Sequence, residues 1–263
     1  MGLILLRYGE LALKGRNRKD FVRRLRGNVR ACLKLNGIDG QVVSQGQRVY
    51  VETEQVEEAL APLSRVFGLV SLSPVAEVAR DIDAIIAGCV EQAQRAGVNP
   101  DVSFRVRARR SDKTFPYISP EIGRLAAEAI LPVTGGKIDL SKNADITIGV
   151  EVSRERALIF GRVVPAPGGL PIGVGGRVVA LISGGIDSPV AAWMLMKRGC
   201  NVIPIHFYQN ETEKRKALDN IQVLAEYSYG WTLRPTILDH REIIGPTLER
   251  LHTIGEERWS CIF

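Results

Sequence analysis

Cysteine and histidine are scarce in this 263-residue chain, and each scarcity excludes something. The four cysteines, at 32, 89, 200 and 261, are too few and too scattered for a disulfide framework. The three histidines (206, 240 and 252) show neither HxH nor HxxxH spacing, which argues against a zinc site. No apolar run approaches the ~18 residues that a membrane span needs. The short apolar stretch Met1 to Leu6 has no basic segment before it, unlike a signal peptide. These absences lead to the expectation of a reduced, cytoplasmic protein that meets no membrane. What is present is enough for a core: 45% of residues are hydrophobic and 24% charged, outside the range of global disorder. Lys and Arg number 35 against 29 Asp and Glu, a net charge of +6. Such an excess suits a polyanion-binding protein, yet many proteins of this charge bind no nucleic acid, so its placement decides the matter.

Three segments of different character follow one another. In the first, Leu3 to Arg7 reads as a strand, and Asn17 with Asp20 marks a helix start. Phe21, Leu25, Val29 and Leu33 recur at helical spacing up to Gly37. Lys14 to Lys34 carries nine basic residues against the single acid Asp20. Arg48 to Glu52 reads as a strand and Val56 to Leu63 as a helix. In the second segment, Ser71 to Val78 looks extended and Ile82 to Arg95 helical, with Gly97 placed to end that helix. In Val102 to Arg110 the residues Phe104, Val106 and Ala108 face one way and Arg105, Arg107 and Arg109 the other, as strand geometry requires. Ser119-Pro120-Glu121 reads as N-cap, first-turn proline and first-turn acid of a helix running to about Leu131. Asp145 to Val152 and Arg156 to Val163 read as a hairpin.

Val164 to Gly176, with three prolines and five glycines and no periodicity, reads as an interdomain linker. After it, strands at Arg177 to Ile182, Asn201 to Phe207 and Thr232 to Leu238 alternate with helices, the first of them starting at Pro189. Apolar strands alternating with helices argue for a parallel, doubly wound sheet.

Ser183-Gly184-Gly185-Ile186-Asp187-Ser188 joins the first of these strands to its helix. The two glycines allow left-handed backbone angles and close approach of an anion. The turn amides and the helix N-terminus present positive dipole ends, and Ser183 and Ser188 add hydroxyl donors. The site is at the carboxyl end of a strand, where open α/β sheets bind ligands. Asp187 would repel a bare phosphate, and makes sense if it holds Mg²⁺ or positions a reacting group. Neither a Walker lysine nor GxGxxG is present. The bland alternative is a plain tight turn, which the flanking strand, Asp-Ser-Pro and helix disfavour.

SGGIDSPVAAWMLMKRG resembles the PP-loop pyrophosphatase motif, and Leu181 to Phe207 resembles the tRNA 4-thiouridine synthetase (tRNA sulfurtransferase) family. RYGELALKGRNRKDF, from Arg7 to Phe21, resembles that family's N-terminal ferredoxin-like domain. FRVRARRSDKTFPYISPEIG, from Phe104 to Gly123, resembles its THUMP domain. The resemblance implies an α/β and α+β multidomain chain. A ferredoxin-like unit at 1–64 and a THUMP RNA-binding unit at 65–165 lead through a linker at 166–176 to an incomplete doubly wound PP-loop domain, adenine nucleotide alpha hydrolase-like, at 177–263. It implies ATP-dependent conversion of a tRNA uridine to 4-thiouridine, by adenylation of the uracil C4 oxygen, loss of pyrophosphate and displacement of AMP by sulfur. By the same resemblance, Leu181, Ile182, Ser183, Gly184, Gly185, Asp187, Ser188, His206 and Phe207 hold ATP with Mg²⁺, and Asp187 is the leading catalytic residue. His206 otherwise reads as a strand-end histidine lining the nucleotide pocket.

Cys261 stands in the neighbourhood where the family has a sulfur-handling cysteine, in some members the start of a CxxC that binds an iron–sulfur cluster. The resemblance makes it catalytic, or an iron–sulfur ligand together with residues past 263. The position that would complete the CxxC is absent, and three strands are few for a doubly wound domain. Both lead to the expectation of a chain shortened from a longer one. The other three cysteines lie on apolar helix faces or at a helix end and read as core thiols. Lys14, Arg16, Arg105, Arg107, Arg109, Arg110 and Lys113 are the tRNA-contact candidates, although charged faces are often merely solvated. Phe115 and Tyr117 read equally as stacking or core residues. The sulfur donor implied is a cysteine desulfurase persulfide or inorganic sulfide, and a homodimer is within the expectation. Other PP-loop adenylating enzymes, or tRNA binding without activity, are the competing functions. A sulfur supply for thiamine thiazole ranks below them.

Overall fold

The computed structural model describes residues 1–10, 17–45 and 48–239, so Lys14, Arg16 and Cys261 lie outside the described residues. The chain forms two compact units. The first comprises Met1–Tyr8, Leu33–Ser64 and Leu69–Ala166; the second comprises Gly9–Cys32, Arg65–Gly68 and the chain from Pro167 onward.

The order β1 (Gly2–Tyr8), α1 (Arg18–Leu35), β2 (Gln41–Gln45), β3 (Arg48–Thr53), α2 (Val56–Leu63), β4 (Leu69–Val78) is a βαββαβ repeat. Its strands pair antiparallel as β2-β3-β1-β4, the ferredoxin-like arrangement. β2 was not legible in the sequence. Its QVVSQ has no clean alternation, and only pairing with β3 makes it a strand.

β4 is ten residues long and serves two neighbourhoods. Its first part pairs with β1, and its last residues, Ala76 to Val78, pair with β8 (Ala157–Phe160). From there the sheet continues through β7 (Ile146–Val152) and β5 (Ser103–Arg110) to β6 (Lys137–Ile138). β5 pairs in parallel with both of its neighbours. Helices α3 (Ile82–Arg95) and α4 (Ser119–Thr134) cover this half, around Ile85, Phe104, Ile122, Ile130 and Ile148.

Local expectations for this half need correction. Ile118, not Ser119, is the N-cap of α4; its N–H donates to Glu121 at 2.9 Å, while the Ser119 hydroxyl accepts from the Arg110 N–H. The helix continues past Leu131 to Thr134 and stops at Gly135, which supplies the left-handed φ of +68°. Asp145 is not part of β7. Its carboxylate accepts from the Ser103 N–H and hydroxyl, bonds that hold its pKa below the ordinary carboxylate value.

The segment expected as a linker is buried in its middle. Val164–Pro165 forms β9 on the edge of β4, and Leu170, Pro171 and Ile172 are buried. The Ile172 carbonyl accepts from Arg24 Nε at 2.7 Å and Asn28 Nδ2 at 3.1 Å, both on α1. Glycine and proline here provide a shaped strap, with its Gly173 at φ +99°.

In the second unit β10 (Arg177–Leu181), β11 (Asn201–Tyr208) and β12 (Thr236–Asp239) are parallel and lie in that order. β12 starts four residues later than expected, because Thr232 to Arg234 have no strand partner among the described residues. Helices α5 (Asp187–Lys197) and α6 (Glu211–Ala225) pack on the sheet through Ala192, Met196, Ala217, Ile221 and Leu224, against Val202 and Ile182. Phe67 enters this core, edge-on to Trp193 with ring centroids 5.2 Å apart. Cys32, Cys89 and Cys200 are buried, as expected of core thiols. No helix among the described residues is long and apolar enough to cross a membrane.

Candidate functional site

At the carboxyl ends of β10 and β11 a cavity of about 230 Å³ opens. Seven of the residues expected to hold ATP stand in its wall: Leu181, Ile182, Ser183, Gly184, Ser188, His206 and Phe207. Gly185 and Asp187 belong to the same loop but not to the cavity wall. Ile205, Gln209 and Glu213 line it too and were not expected. Asn210 caps α6 by accepting the Glu213 N–H at 3.0 Å, and this Asn-x-x-Glu pattern just after a strand is the signal that could have placed Glu213 at the strand ends.

The loop is held by its own hydroxyls. Ser183 N–H donates to Ser188 Oγ at 2.9 Å, the two hydroxyls lie 3.0 Å apart, and Gly185 N–H reaches Ser183 Oγ at 3.3 Å. Helix α5 starts at Asp187, two residues earlier than expected, with Ile186 as its N-cap. Pro189 therefore occupies the third helical position, where no intrahelical N–H bond is lost. The glycines also act differently from expectation. Neither Gly184 nor Gly185 has a positive φ. A Cβ on Gly184 would lie 2.5 Å from Glu213 Oε2 and 3.0 Å from Lys216 Cβ, so any larger residue there would require side chains of α6 to shift. A Cβ on Gly185 would meet only Ser183 Oγ, at 3.6 Å, which leaves that side open for an anion.

His206 is 4% exposed. Its Nδ1 lies 2.8 Å from the Ile182 carbonyl oxygen, while its Nε2 is buried with no partner among the described residues. A carbonyl only accepts, so Nδ1 carries a proton, and in the neutral ring Nε2 is the acceptor. Among the described residues no three His, Cys, Asp or Glu side chains cluster as metal ligands.

The basic candidates divide. Arg105 is tied down: Nε donates to Thr147 at 2.9 Å and Nη1 to the Ser141 carbonyl at 2.7 Å. Arg110 Nη1 donates to the Phe115 and Tyr117 carbonyls and so shapes the turn before α4. Arg107, Arg109 and Lys113 are exposed, and their side chains make no hydrogen bond or ion pair among the described residues. Phe115 is a core residue, 4% exposed, with Tyr117 packed against it; neither is an open stacking platform. On α1, Arg24 is committed to the strap, while Lys19, Arg30 and Lys34 stay exposed.

Fold and site together define a multidomain α/β protein in which a nucleotide-loop domain follows a ferredoxin-like and a THUMP module along the chain. Three family models match in that order: the ThiI ferredoxin-like domain over residues 3–73, the THUMP domain over 79–161, and Thiamine biosynthesis protein (ThiI) over 173–263. A probable tRNA sulfurtransferase of Thermococcus kodakarensis is 39% identical over 99% of this chain and 69% of its own length. One from Caldanaerobacter subterraneus is 39% identical over 88% of this chain and 61% of its own. The crystal structure of PH1313 from Pyrococcus horikoshii superposes with a TM-score of 0.81 at 32% identity, covering 96% of this chain and 83% of that one. A 4-thiouridine synthetase–RNA complex with bound ATP gives 0.77 at 30% identity, over 100% of this chain and 67% of that one. The chain belongs to the tRNA sulfurtransferase family of enzymes.

Proposed function

We propose that this chain carries the ATP-using and tRNA-binding parts of an enzyme that makes 4-thiouridine in tRNA. The observation that carries the reading is the conjunction, around one cavity, of Ser183, Gly184 and Ser188 of the loop with His206, whose buried Nε2 has no partner among the described residues. The synthetase matched over the whole of this chain is described with RNA and ATP bound, which supports the same assignment.

ATP, when bound, supplies the adenylyl group that activates the uracil C4 oxygen, with pyrophosphate as leaving group and sulfur displacing AMP afterwards. The open side of Gly185 and the first-turn amides of α5 suit the phosphates, and the Ser183 and Ser188 hydroxyls can turn toward them. Asp187, the first residue of α5, is the carboxylate that would hold Mg²⁺, which would neutralise charge on the phosphates. His206 Nε2 accepts a hydrogen bond from a donor on the nucleotide. Leu181 and Phe207, on adjacent strands, supply apolar lining to the cavity. Arg107, Arg109 and Lys113, with Lys14 and Arg16, contact the tRNA backbone, where recognition rests on phosphate and 2′-OH groups. Cys261 takes the outer sulfur of a desulfurase persulfide, whose own thiolate is released; where inorganic sulfide instead displaces AMP directly, Cys261 would ligate an iron–sulfur cluster.

The test is the 4-thiouridine content of tRNA from cells whose sole copy of the enzyme is altered. Asp187→Ala should abolish it while leaving tRNA affinity within about threefold, because the loss is confined to the reacting complex. Cys261→Ser should abolish it too. Normal 4-thiouridine with Asp187→Ala would remove the loop from the reaction; normal content with Cys261→Ser would remove only the sulfur role.

A further inference from the structure

Asn220 sits in the middle of α6, a position that asparagine disfavours because its side chain competes with the helix backbone. Its Nδ2 spends both hydrogens outside the helix, on the carbonyls of Ser183 and Gly185, each at 3.1 Å. Both partners only accept, so the amide orientation is fixed. Glu213, Lys216 and Ala217 share that face of the helix with Asn220 at i, i+3, i+4 and i+7. Glu213 and Lys216, paired at 2.9 Å, are the side chains against which Gly184 is pressed.

In a trans peptide, the C=O of one residue and the N–H of the next point in opposite directions. Holding the Ser183 and Gly185 carbonyls on α6 therefore turns the Gly184 and Ile186 N–H groups away from it, to the open side of the loop. Ser183 and Gly185 N–H are already used by the serine hydroxyls. Gly184 and Ile186 N–H carry no hydrogen bond among the described residues. We propose that Asn220 is a positioning residue that presents the Gly184 and Ile186 amides to a pyrophosphate group, an inference that rests on the nucleotide reading of the loop.

The test is titration of the full chain with inorganic pyrophosphate, and separately with ATP and Mg²⁺, by calorimetry, alongside amide hydrogen exchange. Asn220→Ala should weaken pyrophosphate binding about tenfold, the order expected when two orienting hydrogen bonds are removed. Because alanine favours a helix interior, the melting temperature should not fall. Added pyrophosphate should slow exchange at Gly184 and Ile186 in the wild type but not in Asn220→Ala, with β11 unchanged in both. Asn220→Asp, which faces two carbonyls with a carboxylate, should bind more weakly still. If the wild type binds pyrophosphate and Asn220→Ala binds it equally well, the positioning role is overturned and the nucleotide reading stands. If the wild type binds neither ligand, both fall. Weaker binding with exchange quickened throughout α6 and β11 would also overturn the role, since it would mean general loosening.

Discussion

The ring of His206 donates from Nδ1 to the main-chain carbonyl of Ile182, at 2.8 Å. One bond thereby fixes the tautomer of the neutral ring, closes the carboxyl end of the strand that leads into the loop, and leaves Nε2 buried with no partner among the described residues.

Replacing His206 by Phe separates these roles. The ring volume is kept, but the Ile182 carbonyl loses its donor, which costs about 1–3 kcal/mol in urea unfolding. The affinity for ATP, read by calorimetry, should fall roughly five- to tenfold for one missing hydrogen bond. Unchanged ATP affinity would show that Nε2 meets no donor on the ligand.

The arginines of β5 should behave differently in tRNA binding at varied salt. Removing Arg107 and Arg109 should lower the slope of log affinity against log salt by roughly one unit for each phosphate no longer neutralised. Arg105→Ala should leave the slope in place and reduce stability by about 1–2 kcal/mol, since its bonds go to Thr147 and Ser141. A slope that drops for Arg105→Ala alone would reverse this division.

Burial pushes the thiols of Cys32 and Cys89 up to about 12, with the Tyr229 hydrogen bond opposing the shift at Cys32. At pH 8 both should resist iodoacetamide in the folded chain and react once it is unfolded. The folded state keeps its thiol protons while the unfolded state loses them from about pH 9, so stability falls as pH rises above that value. The fall should be about 1 kcal/mol per thiol at pH 10, measured by urea titration. Rapid native alkylation of either cysteine would contradict their burial.

Ile172, 1% exposed, places the strap in the core of the second unit. Ile172→Ala should cost about 2–5 kcal/mol, a destabilisation a mere linker would not show. Thermal or urea unfolding measures it.

Local signals were legible from the amino-acid order alone: the helical spacing of α1 and α3, the alternation in β5, and the Ser-Gly-Gly loop between an apolar strand and a helix. Each depends on residues a few positions apart, so periodicity and turn chemistry expose it. Whatever depends on partners far along the chain was settled by packing. QVVSQ is a strand only because β3 lies beside it. The segment rich in glycine and proline is a buried strap only because α1 supplies Arg24 and Asn28 to its carbonyl. Arg105 and Arg107 look alike in the alternating pattern, but Ser141 and Thr147 claim one guanidinium and leave the other in solvent. Gly184 lies against side chains of a helix much later in the chain, and Asn220 holds the loop from that same helix. Composition and spacing record what a residue offers; which neighbour takes up the offer depends on the folded chain, where distant segments meet and decide which hydrogen bonds are made and which amides are left for a ligand.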